Sequence, residues 1–484
     1  MACIWRVRAL GGFLPYYPIG SGLHAVLNIF PRVKYNLERS DELEKENLDY
    51  LRKKLADRKV RVDTRYRYYD MKYKEPHTSF TMPPQIRNRF QSTVGWTSKA
   101  VDALADRLSF RDFDNDNFNI NKIFQMNNPD TLFDSAILSA LIASCAFVYI
   151  IDDEEYPKLQ VIEASNATGK IDPITGLLEE GYAVLERDIY GNAKIEAYFE
   201  PFKTTIITDG NAVEYPHTAP APLLVPIIHR PDAVRPFGRS RITRGAIYWQ
   251  SYAKRTLERS DVTAEFYSFP QKYAVGTSDE AEPLDGWRAS ISAMLEITKD
   301  ENGDKPTLGQ FSAPSMQPFM EQLRIAASGF AGETGLTMDD LGFVTDNPSS
   351  AEAIKASHET LRITARKAQR NFGSGFLNVG FLSACLRDGV TYKRNQFTET
   401  KAKWEPIFEP DLSALSTAGD GIIKINQSVP GYFSVNNLKD LLGIEGDEQV
   451  GSRYIGGTTG EDTSDISEEV WNKPESAELT TENE

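Results

Sequence analysis

The chain has 484 residues, 40% of them hydrophobic and 25% charged, with a formal net charge of −15. That composition is globular rather than disordered, and the length suggests about two to four domains. The acidic balance argues against a protein that grips nucleic acid tightly, because such a grip needs a dense cationic face, but it allows one past which DNA slides.

The three cysteines, Cys3, Cys145 and Cys385, are far apart and make no zinc spacing. They fit a reducing compartment, with Cys145 buried in an apolar run. The N-terminus has no apolar core of a signal peptide. Residues 1–35 carry loop signals at Gly11-Gly12 and Pro15–Pro18. Asp41–Asp57 predicts a helix, with Ser40 as cap and Leu48, Leu51 and Leu55 as a narrow stripe. The basic, aromatic stretch Arg58–Tyr69 follows. It suits stacking on bases or, preferably, a contact between subunits, where Arg and Tyr are favoured.

Ile86–Leu108 predicts a helix capped by Thr97 or Ser98. Asp112–Asn117 resembles the start of a calcium loop, but Asn117 stands at the turn position that needs Gly and Ile123 at the closing Glu position. No metal is expected there. The apolar run Ser135–Ile151 changes midway from helix-like to β-branched, which predicts a buried helix followed by a buried strand rather than a membrane span. Strands are predicted at Ala146–Ile151, Leu159–Ile162, Tyr182–Glu186, Ala193–Phe199 and Thr205–Thr208. The turns between them are read at Asp172-Pro173, Thr175-Gly176, Tyr190–Asn192 and Asp209–Asn211. Together these predict a mostly antiparallel sheet. Pro216–Pro231 is extended.

Pro236-Phe237-Gly238-Arg239-Ser240-Arg241-Ile242 then opens a long helix to about Tyr267, with Ser240 as its predicted cap. Ile242, Ala246, Trp249, Ala253, Leu257 and Ala264 recur along one face. After Phe269-Pro270 come a strand at Tyr273–Gly276, a short helix at Asp285–Leu295, and a turn at Asp300–Asp304. A second helix runs from about Met316 to Gly332, with Pro318 in its first turn. Thr337–Ser350 is a polar, acidic loop whose Ser349 or Ser350 caps a third helix. That helix carries Lys355, Arg362, Arg366, Lys367 and Arg370 near one face, balanced by Glu352 and Glu359. Gly373-Ser374-Gly375 predicts a bend before Phe376–Leu386. Val390–Tyr392 and Trp404–Phe408 are strand-like, and Asp411 to about Leu442 is helical. From Gly451 the chain is acidic and polar, which predicts a disordered tail.

Chemistry-bearing motifs are absent. There is no P-loop. His358-Glu359 meets Arg362 where a second zinc-binding His would stand, and Gly373–Gly375 is not a nucleophile elbow. Acidic pairs such as Asp152-Asp153 and Asp339-Asp340 suit solvation better than a metal. No catalytic residue, cofactor or metal is expected.

The Pro-Phe-Gly-Arg-Ser-Arg-Ile segment that ends a β-rich region and opens a long helix resembles the portal proteins of tailed bacteriophages, above all those of Gram-positive siphophages. The element order over about residues 35–440 is similar, including the helix Val101–Leu108 and the Ser350-Ala351-Glu352-Ala353-Ile354-Lys355 segment. The resemblance implies an α+β portal architecture: wing 1–239, first stem helix 240–268, clip 269–313 and second stem helix 314–336. A tunnel loop 337–350, a long helix returning to the wing 351–394, a crown 395–450 and an acidic tail 451–484 complete it.

It implies a ring, typically of twelve, at one capsid vertex of the virion, assembled in the host cytoplasm. Double-stranded DNA passes through it in packaging and ejection without sequence-specific binding. Its implied partners are the terminase large subunit, a head–tail adaptor, and the major capsid and scaffolding proteins; no membrane is involved. Asp339, Asp340, Thr345, Asp346, Asn347 and Ser349 would sit on the channel loop. Arg239, Arg241, Trp249, Lys254 and Arg259 would lie in stem and inter-subunit contacts. Lys272, Tyr273, Trp287 and Arg288 would lie on the clip facing motor and adaptor. The alternative is a structural protein that binds nucleic acid through the basic helix 351–370, and a metal-dependent hydrolase using the acidic pairs is a third reading.

Overall fold

The computed structural model describes residues 30–73, 91–268, 272–275, 307–310, 312, 315–343, 356–408, 412–430 and 432. Helix α1, Phe30–Tyr69, is continuous over 40 residues. Ser40 lies inside it rather than at its start, and Arg58–Tyr69 is its final part rather than a separate stretch. No Pro or Gly occurs between Ser40 and Tyr69 to end it. The predicted leucine stripe is used: Leu51 and Leu55 are buried against Tyr182, Val184 and Tyr198, with Leu48 at the edge.

Helix α2, Trp96–Ala105, starts later than Ile86; residues 86–90 lie outside the described residues. Thr97 and Ser98 fall in its first turn and do not cap it. Their hydroxyls donate instead to the Tyr68 and Tyr69 carbonyls, which ties α2 to the end of α1. Strand β1, Phe110–Asp114, precedes α3, Ile120–Met126, and α4, Pro129–Ala143. The Asp116 carboxylate accepts the Ile120 and Asn121 N–H groups at 2.9 and 2.8 Å, so it caps α3. The helix-to-strand change predicted within Ser135–Ile151 falls at Ser144, and β2 is Cys145–Ile151. Among the described residues no helix is long and apolar enough to cross a membrane.

Two antiparallel sheets follow. Strands β2, β3 (Lys158–Glu163) and β9 (Leu224–Ile228) form one, in the order β3-β2-β9. Strands β4 (Ala167–Ile171), β5 (Leu178–Arg187), β6 (Ala193–Glu200), β7 (Lys203–Thr208) and β8 (Asn211–Pro216) form a five-stranded meander. Every predicted strand of this region is present. The sequence reading missed β4, β8 and β9: β9 carries Pro226, and every residue of β8 is exposed, so neither shows the expected alternation.

Helix α5 is Arg244–Ser268 and α6 is Gln317–Thr334, with Pro318 in its first turn as predicted. Between them β10, Lys272–Val275, pairs antiparallel with β11, Thr307–Gln310. The predicted helix Asp285–Leu295 and turn Asp300–Asp304 lie outside the described residues.

Helix α7, Glu359–Asp388, passes straight through Gly373-Ser374-Gly375, where a bend was expected. These glycines allow close approach instead. A Cβ on Gly373 would stand 2.8 Å from the Ala402 Cβ, and one on Gly375 would stand 2.9 Å from the Ile227 Cδ1. From Gly375 to Leu386 the helix is buried all round. Phe376 joins Phe110, Phe133 and Trp404 in one aromatic cluster. Strand β12, Lys401–Trp404, pairs with β1. Val390–Tyr392 is not a strand. Helix α8 is Leu412–Ser428; residues 433–442 and the acidic tail lie outside the described residues.

Candidate functional site

The segment Pro236–Ile242 is a strap across the end of α4. Any α-helix leaves its last carbonyls without intrahelical partners. In α4 all four are supplied. Ala140 accepts the Ser144 N–H at 2.9 Å and Leu141 accepts the Arg241 N–H at 2.8 Å. Ile142 accepts the Ser240 hydroxyl at 2.5 Å, and Ala143 accepts the Arg65 guanidinium from α1. Gly238 makes the strap fit: its φ is +71°, and a Cβ there would lie 2.1 Å from the His229 carbonyl oxygen. The His229 ring closes the loop, with Nδ1 2.7 Å from the Arg239 carbonyl. His229 is wholly buried, and burial pulls its pKa down to about 3, so the ring is neutral.

Ser240 therefore does not cap α5. Its oxygen is committed to α4 and to the Ile242 N–H. Thr243 takes that role: its carbonyl accepts the Ile247 N–H and its hydroxyl accepts the Ala246 N–H, each at about 3 Å.

Arg241 is buried and forms no ion pair with a carboxylate among the described residues. Its Nε donates to the Ala100 carbonyl of α2 at 3.1 Å, and its Nη2 donates to Thr334, the last residue of α6. Burial lowers its pKa to about 10, which leaves it charged at neutral pH. A cation on the terminal carbonyl of α6 also suits that helix's negative end. Arg241 thus joins α2, α4 and α6 within one chain. Arg239 is exposed and binds Asp232 twice, at 3.0 and 2.7 Å, and that bond is the leading reason the Asp232 carboxyl titrates low.

Below the strap, α5 and α6 run antiparallel. Thr243 bonds Glu333 at 2.6 Å, Trp249 lies on Gly329, and Ala253 and Ala326 are buried together. A Cβ on Gly329 would come within 2.3 Å of the Trp249 ring. Lys254 lies 4.9 Å from the Tyr73 ring centroid and 3.9 Å from Glu258. Of the residues expected in stem and inter-subunit contacts, Arg241, Trp249 and Lys254 make these contacts inside the chain, and Arg259 is exposed. Sequence reading missed Gly329 and Thr243, and it placed Arg65 in a contact surface rather than on the end of α4. A glycine opposite a tryptophan on the partner helix is the signal for the first.

After α6, Asp339–Leu341 is a single 3₁₀ turn. The Asp340 carboxylate accepts the Thr337 N–H and hydroxyl, both at 2.9 Å, and lies 3.8 Å from His358. It holds the base of the loop. Asp339 is exposed. Thr345, Asp346, Asn347, Ser349 and the predicted cap at Ser349 or Ser350 lie outside the described residues, as do Trp287 and Arg288. The backbone of Lys272 and Tyr273 lies in β10. On α7, Arg362 is bound twice by Glu359 at 2.6 Å, whereas Arg366 and Arg370 face a groove. No metal-holding cluster of His, Cys, Asp and Glu occurs among the described residues.

No family model matches the chain. It is similar to the portal protein of Mycobacterium phage D29, at 26% identity over 333 residues that cover 64% of this chain and 68% of that one. It is similar to the portal protein of Mycobacterium phage L5 at 24% identity over 331 residues, with the same shares covered. The chain is homologous to phage portal proteins. Among solved structures it resembles a chain in the neck of an empty gene transfer agent particle, with a TM-score of 0.43 at 14% identity, covering 75% of this chain and 94% of that one. A chain in the neck of the native particle gives a TM-score of 0.43 at 14% identity, over 79% and 99%. Likenesses at that level do not establish function.

Proposed function

We propose that this chain is a phage portal protein, the subunit of a ring at one capsid vertex through which DNA is packaged and ejected. The observation that carries it is the similarity to two phage portal proteins over 68% of their length. It is a structural component of the virion and not an enzyme. The antiparallel pair α5–α6 is the stem, the β10–β11 insert belongs to the clip, and α7 returns the chain to the wing. Residues 337–350 form the tunnel loop, with Asp339 facing the channel and Asp340 anchoring the base. The chain's Pro-Phe-Gly-Arg-Ser-Arg-Ile segment supports a portal of the Gram-positive siphophage type. The clip meets the terminase large subunit and then the head–tail adaptor, while the outer surfaces meet capsid and scaffolding proteins.

Two physical features support a ring. Tyr248 on α5 and Met320 and Ile325 on α6 are 55%, 59% and 58% exposed, an apolar surface that neighbouring copies would cover. An acidic chain also holds DNA weakly, as a conduit must, because binding to phosphate gains from counterion release only where cations gather. Native mass spectrometry with negative-stain imaging tests the reading. Closed rings with a central hole are expected, and a monomer at every concentration would contradict it.

A further inference from the structure

A groove of about 570 Å³ lies between α7 and β12. Arg366, Gln369 and Arg370 of α7, Arg394 from the turn that follows, and Lys401 and Trp404 of β12 line it. No Asp or Glu lines it, and none of its four cations forms an ion pair with a described residue. Arg362, one turn earlier on α7, is paired directly with Glu359, whose field reaches Arg366 only at longer range. Arg394 is held in place by a 2.8 Å hydrogen bond from its Nε to Asn378 Oδ1. Four like charges in one concavity repel each other, and an anion placed among them relieves that repulsion. Trp404 adds an apolar surface beside the charges. Such a groove suits an extended acidic peptide that carries an apolar side chain.

The same chain holds such a peptide. Residues 461–484 contain nine Asp and Glu against a single basic residue, Lys473, and carry Trp471 in their middle. The strand β12 and the acidic stretch are separated by residues 405–411, by α8, of 17 residues, and by residues 429–460. Helix α8 is about 25 Å long. A random coil with as many residues as 429–460 would have a root-mean-square reach of about 31 Å, which spans the length of α8 and would give a high effective concentration.

We propose that the acidic stretch 461–484 docks in the groove of its own chain, with its carboxylates on Arg366, Arg370, Arg394 and Lys401 and Trp471 beside Trp404. This goes beyond the portal reading and stands without it.

Limited proteolysis of the full chain, followed by intact mass, tests the docking. At low salt the stretch 461–484 is cut at least about tenfold more slowly in the wild type than in an R366E/R370E variant, and the difference vanishes at high salt because screening weakens the contact. Both arginines are exposed, so the variant folds, and an unchanged melting curve checks this. A second variant, E468Q/E469Q, leaves the groove intact and speeds cleavage in the same direction. Cleavage at one rate in all three proteins would overturn the proposal. So would a short DNA duplex that binds the wild type and loses that binding in R366E/R370E, since the groove would then be open to polyphosphate.

Discussion

Helix α7 buries Phe372, Phe376 and Phe381 almost completely within one chain, whereas the α5–α6 pair leaves Tyr248, Met320 and Ile325 more than half exposed. The body has one large core that draws on both sheets, α2, α4 and α7. The helix pair has a satellite core built on Val94, Ala253 and Ala326. One region is complete alone; the other joins it at its top through Arg241 and through Ala246 and Phe330, which reach the large core, and is held along its length by small residues under Trp249. On the proposed reading, such a subunit has a self-sufficient body and a helix pair whose apolar surface neighbouring copies cover.

The largest effect belongs to the body. Phe376→Ala removes a ring that touches Phe110, Phe133 and Trp404, and costs about 3–5 kcal/mol in urea unfolding. A loss below about 1 kcal/mol would mean that the body, too, depends on neighbours. Arg241→Met comes next. It strands the Ala100 and Thr334 carbonyls in a buried site and lowers the stability of the unassembled chain by about 2–3 kcal/mol. If only ring formation suffered, Arg241 would be an inter-subunit contact after all.

Gly329→Leu sharpens the comparison from the other side. Its side chain collides with Trp249, and overpacking of about 1–3 kcal/mol falls on the helix pair. The urea transition of the body holds while ring yield on size-exclusion chromatography drops. His229 gives a smaller, pH-dependent effect. Its folded pKa, about 3, lies below the ordinary 6.5, so between these values the unfolded chain binds the proton and the folded one does not. Stability is lost as pH falls below 6.5, by up to about 1.4 kcal/mol per unit. His229→Asn flattens that slope in melts between pH 7 and 4.5, and an unchanged slope would place the titration elsewhere. Least of all, Arg239→Ala breaks only an exposed pair with Asp232, and no shift in melting temperature is expected.

Much of this was legible in the sequence. The α4-to-β2 change, the predicted meander strands, the two helices around the insert and the Pro-Phe-Gly-Arg motif all rest on local patterns. The role of the motif was not legible. Ser240 and Arg241 read as a helix cap and as a stem or inter-subunit contact because their partners, Ile142, Ala100 and Thr334, lie far away in the chain. The glycines of α7 read as a bend because a sequence shows a missing side chain but not the Ala402 and Ile227 that occupy its place. The two hydrogen bonds that the Asp340 carboxylate accepts from Thr337 were not read either.

Hydrogen–deuterium exchange on the dissociated chain and on the assembled ring tests the division between body and helix pair most directly. The account predicts that amides of α7 exchange slowly in both states, while those of α5 and α6 gain protection of at least about tenfold on assembly. Equal protection of α5 and α6 in the two states would contradict it.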